Sequence, residues 1–317
     1  MPLGFIIKIA LFLTIGVLPS VAFFMLTLNG YADYYYLKFT TSNQKSLILG
    51  TSRALQGILP SVLNELSEKK FEGPVYNYAF TLGTGSMGPS YYYSIMKKLD
   101  KSVKNGLFII EINPMSISTS LQNTGDHDSL FRERMAFVAK MERVNQNPNI
   151  EYLWNYFNYP LFNMLLKNIK KKARLCDDGW LEINTNITKN KKRLSLVSQQ
   201  TIKEYEKKFK SNKLSQTRIS WLGKLMRDLS QYGRVVLIRL PVDREMADKE
   251  DQYFPDFDKQ IQKVAVKNNV IYFKIETGPE FQTIDGNHLS QESAKKVTII
   301  IRNIIKRELA ELSRYGI

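Results

Sequence analysis

The chain has little cysteine and little histidine, and both shortages limit the chemistry that it can carry. Cys176 is the single cysteine, so neither an internal disulfide nor a site built on several thiolates can form. Its neighbours over 174–178 are typical of a surface loop, which argues against a cysteine nucleophile. The two histidines are His127 and His288, which leaves few candidates for a general base.

Acidic residues are also in deficit. Lysine and arginine number 45 against 30 aspartates and glutamates, a formal net charge of +15. Such a balance suits nucleic acid, an anionic membrane surface or an acidic polymer, and it equally serves solubility alone. The sequence contains no nucleic-acid-binding motif, so we expect no nucleic-acid partner.

His127 stands between Asp126 and Asp128, which raises the question of a metal site. A metal would need more ligands than the sequence offers nearby. We therefore expect a surface histidine, with a place at the edge of a cleft as the alternative. Neither a metal nor a cofactor is predicted.

A long charge-free run near the N-terminus predicts a membrane anchor. Residues 9–28 are 20 positions without a charge, and a helix of that length covers about 30 Å, the thickness of a bilayer core. The apolar core of a cleavable signal peptide is shorter, although Gly-Tyr-Ala at 30–32 is a weak cleavage site. We expect residues 1–30 to be an uncleaved anchor in membrane lipid. The nearly balanced flanking charges favour, by a small bias, an exported body.

Beyond the anchor, short apolar runs alternate with helical patterns. The runs are 46–50, 74–80, 106–112, 234–240 and 270–275, and helices are predicted over 59–70, 88–100, 257–269 and 290–315. Continuous apolar runs are typical of strands covered on both faces, and the alternation indicates right-handed crossovers. We predict an α/β fold over 45–317, a flavodoxin-like three-layer sandwich around a five-stranded parallel sheet.

About 120 residues separate the third and fourth runs, too many for a simple crossover loop. We expect a mostly helical insertion at about 115–232, with helices over 129–145, 150–172, 199–212 and 216–231. The segment 150–174 mixes aromatic residues with a basic end. It either packs its aromatics on the core or lies on a membrane surface or a partner. Trp180 is a candidate aromatic of the cleft.

The first strand ends in Gly50, Thr51, Ser52 and Arg53, at the sheet edge where parallel sheets collect functional groups. A serine at such a turn exposes its hydroxyl above the sheet, and its backbone N–H points where an oxyanion would form. The alternative is a serine that caps the helix. Arg53 is either a clamp for an anionic substrate group or a solvated residue at the helix start.

Asp285 and His288 follow the last strand, three positions apart. A turn at Gly286 lets the carboxylate reach the imidazole, fix its tautomer and leave the other ring nitrogen for a serine. The alternative is a helix-capping turn with a solvated histidine. In a flavodoxin-like order these strand ends lie close together, so we predict that Ser52, His288 and Asp285 meet as nucleophile, base and orienting acid.

These positions resemble the SGNH (GDSL-like) hydrolase superfamily, which has a serine after the first strand and a late Asp-x-x-His. The blocks ILGTSRALQGILP, YNYAFTLGTGSMGP, LFIIEINPMSIS, DDGWLEIN and DGNHLS are similar to a bacterial, membrane-anchored envelope group. That group shares its broad class with accessory proteins for D-alanylation of teichoic acids and O-acetylation of exopolysaccharides. Thr51 stands where the family has aspartate.

The resemblance also implies an oxyanion hole. Its donors would be the Ser52 N–H, a glycine after the second strand, Gly83 or Gly85, and an asparagine after the third, matched loosely by Asn113. The alternatives are a flexible turn at the glycines and a simple turn residue at the asparagine.

The residues predict a serine enzyme that works through an acyl-serine, a route that an esterase and an O-acyltransferase share. The resemblance implies an O-acylated glycan of the cell envelope as substrate and a polytopic membrane O-acyltransferase or other envelope proteins as partners. It implies a single-pass protein of the bacterial cytoplasmic membrane with its body on the periplasmic or extracellular side. The missing aspartate and the loosely matched third block support a second hypothesis, a non-catalytic subunit that binds envelope proteins.

Overall fold

A parallel sheet forms the centre of the molecule. The structure is a computed structural model, and it describes residues 3–28, 33, 35–65, 71–122, 137–156, 173–183 and 191–314. The strands are β1 (Ser46–Leu49), β2 (Val75–Asn77), β3 (Gly106–Glu111), β4 (Ser118–Ser120), β5 (Ala173–Leu175), β6 (Leu181–Ile183), β7 (Asn212–Leu214), β8 (Gly233–Arg239) and β9 (Ile271–Lys274). Five of them pair in parallel in the order β2-β1-β3-β8-β9. The predicted α/β fold with five parallel strands is confirmed.

α-Helices precede the first strand and alternate with the later ones along the chain. They are α1 (Leu3–Phe12), α2 (Leu18–Thr27), α3 (Ser52–Gly57), α4 (Pro60–Asn64), α5 (Leu82–Gly85), α6 (Pro89–Lys98), α7 (Phe137–Lys140), α8 (Ile150–Asn155), α9 (Lys191–Lys210), α10 (Gln216–Ser230), α11 (Arg244–Tyr253), α12 (Phe257–Lys267) and α13 (Gln291–Arg314). The helix predicted over 59–70 is shorter in the described residues, and 66–70 lie outside them.

Two apolar layers cover the sheet, and the strand side chains alternate between them. Leu47 and Phe108 belong to the layer formed with α6, α10 and α12, whereas Ile48 and Ile109 belong to the layer formed with α3, α4 and α13. All four side chains are fully buried. Because both faces are covered, the central strands β1 and β3 are almost entirely apolar, and each such buried side chain contributes about 1.5–3 kcal/mol.

The insertion is less helical than predicted. Besides α7 to α10, its described residues hold two antiparallel ribbons, β4 with β7 and β5 with β6. Each of these strands has three residues, too few to show an alternating pattern in the sequence. The helix predicted over 199–212 begins earlier, at Lys191, and the helix predicted over 216–231 is confirmed as α10. Residues 123–136 and 157–172 lie outside the described part.

The N-terminal helix is long and apolar enough to cross a membrane. Its window Leu3–Ala22 has 20 residues, a mean hydropathy of 2.2 and no buried residue. A π-helical turn, Leu13–Val17, joins α1 to α2 without a break. The helix begins at Leu3 rather than at residue 9 because Lys8 does not interrupt it.

Two buried lysines fix the segment that follows the anchor. Lys38 Nζ donates to the carbonyl oxygens of Asn77 at 2.5 Å and Gly179 at 3.0 Å. Lys98 Nζ donates to the carbonyl and hydroxyl oxygens of Thr41 at 2.6 and 2.7 Å. Burial lowers the pKa of Lys98 to about 7. The chain between anchor and sheet is therefore docked on the body by hydrogen bonds in the interior.

Candidate active site

The turn after β1 is built around Gly50 and a buried glutamate. Gly50 has a φ of +139°, and a Cβ there would lie 2.7 Å from Oε2 of Glu111, so the position requires glycine. Glu111, the last residue of β3, is fully buried. Its Oε2 accepts hydrogen bonds from the backbone N–H and the hydroxyl of Thr51, both at 2.9 Å. The carboxylate thus fixes the turn that presents Ser52.

Ser52 is the first residue of α3 and not its cap. Thr51 occupies the N-cap, and its hydroxyl oxygen accepts a long bond of 3.4 Å from the backbone N–H of Arg53. The capping interpretation of Ser52 therefore does not fit, because its neighbour takes that role. Ser52 is 8% exposed, and its backbone N–H has no acceptor among the described residues.

The loop between β9 and α13 holds Asp285 and His288 on one hydrogen-bonded turn. Asp285 Oδ1 accepts the backbone N–H groups of Asn287 at 3.0 Å and His288 at 2.8 Å. Gly286, between them, has a φ of +81°, and its carbonyl accepts the N–H of Asp243 at 3.1 Å. The histidine side chain is only 16% exposed, so a solvated histidine does not describe it.

Ser52, His288 and Asp285 form one line of hydrogen bonds. Ser52 Oγ lies 2.8 Å from His288 Nε2, and His288 Nδ1 lies 2.7 Å from Asp285 Oδ2. With Nδ1 carrying its hydrogen toward the carboxylate, Nε2 is an acceptor aimed at the serine hydroxyl. This arrangement suits proton transfer from a serine to a histidine.

The charge of Asp285 fits this arrangement. Burial alone would raise its pKa, but the hydrogen bond and the charge of His288, with the two backbone N–H groups of its own turn, lower it below the ordinary range. The carboxylate therefore stays ionised at neutral pH. An ionised Asp285 stabilises an imidazolium formed when His288 takes a proton.

Arg53 is 4% exposed, so the alternative of a solvated residue at the helix start does not fit it. Its Nη1 is buried without a hydrogen-bond partner among the described residues, and the clamp for an anionic substrate group stays a prediction. Its Nε and Nη2 donate to Oδ1 of Asn287 at 3.0 and 2.8 Å, and Nη2 also donates to Glu250 at 2.5 Å. Arg53 thereby joins the serine turn to the histidine loop.

Glu250 and Arg239 complete this buried charge network. Glu250 is fully buried and pairs with Arg53 and, at 3.0 Å, with Arg239. Burial would raise the pKa of Glu250, but the two guanidinium groups outweigh it and lower that pKa. Glu250 thus lies between two cations, and Arg239 also pairs with Asp251 at 2.9 Å and with Asp258 at 2.7 Å.

Some of the predicted oxyanion donors already have hydrogen-bond partners within the protein. The Gly85 N–H donates to the carbonyl of Thr81 at 2.7 Å, and Gly83 is exposed. Asn113 donates both amide hydrogens, one to Thr51 Oγ1 at 3.1 Å and one to Glu111 Oε1 at 2.8 Å. Its Oδ1 accepts the N–H of Ser116 at 3.1 Å, so it caps a turn. As the residues lie, neither the Gly85 N–H nor the Asn113 amide is free for an oxyanion, and the Ser52 N–H is.

The remaining candidates lie elsewhere. Trp180 is 8% exposed, and its indole N–H donates to the carbonyl of Gln56 at 2.8 Å, so it packs beside α3 as a structural residue. Cys176 is half-buried in the turn between β5 and β6 rather than in a loose surface loop, and burial raises its pKa to about 11. His127 lies outside the described residues. Among the residues that are described, no group of three His, Cys, Asp or Glu side chains could hold a metal ion.

Three residues of the site were not predicted from the sequence. Glu111 had a signal, an acidic residue inside an apolar strand, which is where a buried carboxylate needs a partner. Asn287 lay within the Asp-x-x-His block without a role. Glu250 had no local signal, because it occurs in an ordinary polar helix, α11.

Comparisons with protein-family models, with curated proteins and with solved structures return no match. The activity of the chain is therefore inferred from the geometry of the site and from the residues that form it.

Proposed function

We propose that this protein is a membrane-anchored serine hydrolase or O-acyltransferase. The observation that carries the proposal is the distance of 2.8 Å between Ser52 Oγ and His288 Nε2, with Asp285 at 2.7 Å behind the ring. Ser52 lies near the start of the sheet domain in sequence, whereas Asp285 and His288 lie near its end. Neither a helix cap nor a surface turn would require these three side chains to meet.

The proposed reaction begins at the serine hydroxyl. Ser52 Oγ attacks an acyl carbonyl carbon while its proton passes to His288 Nε2, and the carbonyl electrons move onto the oxygen. The Ser52 N–H at the start of α3 is the first donor for that oxyanion. Collapse of the intermediate breaks the bond to the leaving alcohol, which takes the proton from His288, and an acyl-serine remains.

The second half repeats these steps with another nucleophile. His288 removes a proton from water in an esterase, or from a sugar hydroxyl in a transferase, and the oxygen attacks the acyl-serine. The intermediate then collapses: the bond between Ser52 Oγ and the acyl carbon breaks, Ser52 Oγ takes the proton from His288, and the carboxylic acid or the new ester leaves. Asp285 acts only through His288, whose tautomer and charge it stabilises.

The family assignment belongs to the same proposal. Numbered within the sheet alone, the strand order is 2-1-3-4-5, the order of flavodoxin-like sheets, in which ligands bind beyond the strand ends. That order, the serine after β1 and the Asp-x-x-His after β9 support membership of the SGNH superfamily. We further propose an O-acylated envelope glycan as substrate and a polytopic membrane O-acyltransferase or other envelope proteins as partners, with the body outside a bacterial cytoplasmic membrane.

A fluorophosphonate probe tests the proposal without knowledge of the substrate. We expect the wild type to become labelled at Ser52, whereas the variants Ser52→Ala and His288→Ala remain unlabelled with unchanged circular dichroism. Equal labelling of the wild type and Ser52→Ala, or no labelling of a folded wild type, would contradict it.

One observation favours a second candidate function. With the Asn113 amide and the Gly85 N–H both engaged, the asparagine donor and one of the two glycine candidates are lost, and one missing donor typically costs about 10²–10³ in rate. A non-catalytic subunit that binds envelope proteins through the insertion would tolerate this loss. A folded wild type that no fluorophosphonate labels is the result that this candidate predicts.

A further inference from the structure

We propose that α8 lies on the surface of the membrane that the anchor crosses, with Trp154 and Ile150 in its lipid interface. This inference rests on the anchoring part of the proposed function and not on the hydrolase. Among the described residues of the insertion, these two large apolar side chains are the most exposed: Trp154 is 87% and Ile150 60% exposed. They are four residues apart and so share one face of α8.

The opposite face of α8 is fixed to the body. Tyr152 is buried, and its ring packs against Phe39 at a centroid distance of 5.4 Å. Asn149, also buried, caps the helix through a 2.9 Å bond from the Tyr152 N–H and donates to the carbonyl of Phe39 at 3.0 Å. The exposed face is therefore a rigid feature and not the product of a loose helix.

The same contacts place α8 beside the exit of the anchor. The Tyr152 hydroxyl donates to Oδ2 of Asp33 at 2.8 Å, and Asp33 is five positions beyond Leu28. Five residues span at most about 18 Å. Leu28 itself packs against the apolar layer that contains Tyr152 and Phe39. The bond to Asp33 therefore keeps α8 near the end of the anchor.

The chemistry of the face matches a bilayer interface rather than water. Tryptophan is enriched where the headgroups meet the acyl chains, because its ring is apolar and its N–H polar. An exposed tryptophan and an exposed isoleucine on one helix face, near the end of a membrane anchor, fit such an interface. The anchor itself brings a lipid interface to this position, so we assign that interface as what covers the exposed face of α8.

Fluorescence quenching of the full chain in vesicles tests the inference. The three tryptophans are Trp154, Trp180 and Trp221; Trp180 is buried, and Trp221 packs on two tyrosines. The chain is reconstituted into phosphatidylcholine–phosphatidylglycerol vesicles whose acyl chains are brominated near the glycerol end. We expect lipid-dependent quenching in the wild type, its loss in Trp154→Phe, and its retention in the matched control Trp221→Phe.

The remaining outcomes overturn the inference and separate its causes. If the chain floats with the vesicles and Trp154 is quenched by aqueous acrylamide but not by bromolipid, the face lies in water. If neither agent quenches Trp154, a second copy or another protein covers it. If the chain does not float, the anchor fails together with the inference. Fluorophosphonate labelling of Ser52 is independent of all three results.

Discussion

Replacing Asp285 by asparagine is the sharpest test of the proposed triad, because the two oxygens of this carboxylate have separate tasks. Oδ1 accepts the two backbone N–H groups of the turn, and Oδ2 faces His288 Nδ1. An asparagine keeps its oxygen on the backbone and places its NH₂ against the ring. That NH₂ donates to Nδ1, so the histidine hydrogen moves to Nε2, which can no longer accept the serine proton.

The expected loss of activity is large and the expected loss of stability small. The wrong tautomer typically lowers the rate about 10⁴-fold, which corresponds to about 5.5 kcal/mol of transition-state stabilisation. A neutral hydrogen bond replaces a charge-assisted one, so the free energy of unfolding of Asp285→Asn falls by about 1–2 kcal/mol. Labelling rates with a fluorophosphonate and urea unfolding of the detergent-solubilised chain measure the two quantities.

The matched control is Asp243→Asn. Asp243 is also a loop carboxylate that accepts a backbone N–H, at the start of α11, and its side chain makes no hydrogen bond to the triad. We expect this variant to be labelled at the wild-type rate. Labelling of Asp285→Asn as fast as the control would refute the reasoning, and so would an equally large loss in the control.

The pKa of Asp285 adds a pH signature. Since the folded pKa lies below the unfolded value, the carboxylate stabilises the fold above about pH 4, and this stabilisation is lost as the pH falls through the lowered pKa. The difference in unfolding free energy between the wild type and Asp285→Asn should therefore close in acid. A difference that widened below pH 4 would contradict the assignment.

Further predictions concern the supporting structure. Arg53→Lys keeps a positive charge but loses the paired bonds to Asn287, so the unfolding free energy falls by about 2–3 kcal/mol and labelling slows; an unchanged melting temperature would contradict this. Gly85→Ala puts a Cβ 2.4 Å from the carbonyl oxygen of Gly50, so the free energy of unfolding falls by about 1–3 kcal/mol. Gly83→Ala meets open space, and in the same thermal melts its free energy of unfolding stays within about 0.5 kcal/mol of the wild type. Lys98 has a folded pKa of about 7, below its unfolded value, so the fold becomes more stable as the pH rises. Between pH 7 and pH 9, urea unfolding should show the free energy of unfolding of the wild type rise by up to about 2–3 kcal/mol relative to Lys98→Met. A difference that stays constant would contradict this titration.

The sheet was predictable because its signal is local. A strand such as β3 is buried on both faces, and this burial appears in the sequence as six residues that are almost all apolar. The ribbon β5–β6 was missed for the opposite reason: three residues with one exposed side chain carry no period. The anchor was predictable from length and charge alone.

The candidate site was predictable only in part. Ser52, Asp285 and His288 stood out because the chemistry needs those residue types after particular strands. The burial of Arg53 had no such signal, since its partner Glu250 is 197 positions away and each looks like an ordinary surface charge. The place of Asn113 depended on Glu111, whose burial determines where the amide points. Pairings between distant charged residues are a tertiary property that local patterns do not record.

The hydrogen bond between Ser52 and His288 joins residues 236 positions apart. A chain still emerging from the ribosome, or one cut short before β9, carries the serine turn without its partner imidazole. Because closing so long a loop costs entropy before the contact compensates for it, we expect this contact to form late during folding. Reaction of the serine with an activated ester or phosphonate therefore reports that synthesis and folding have both reached completion, so a time course of labelling during refolding would record the last stage of assembly.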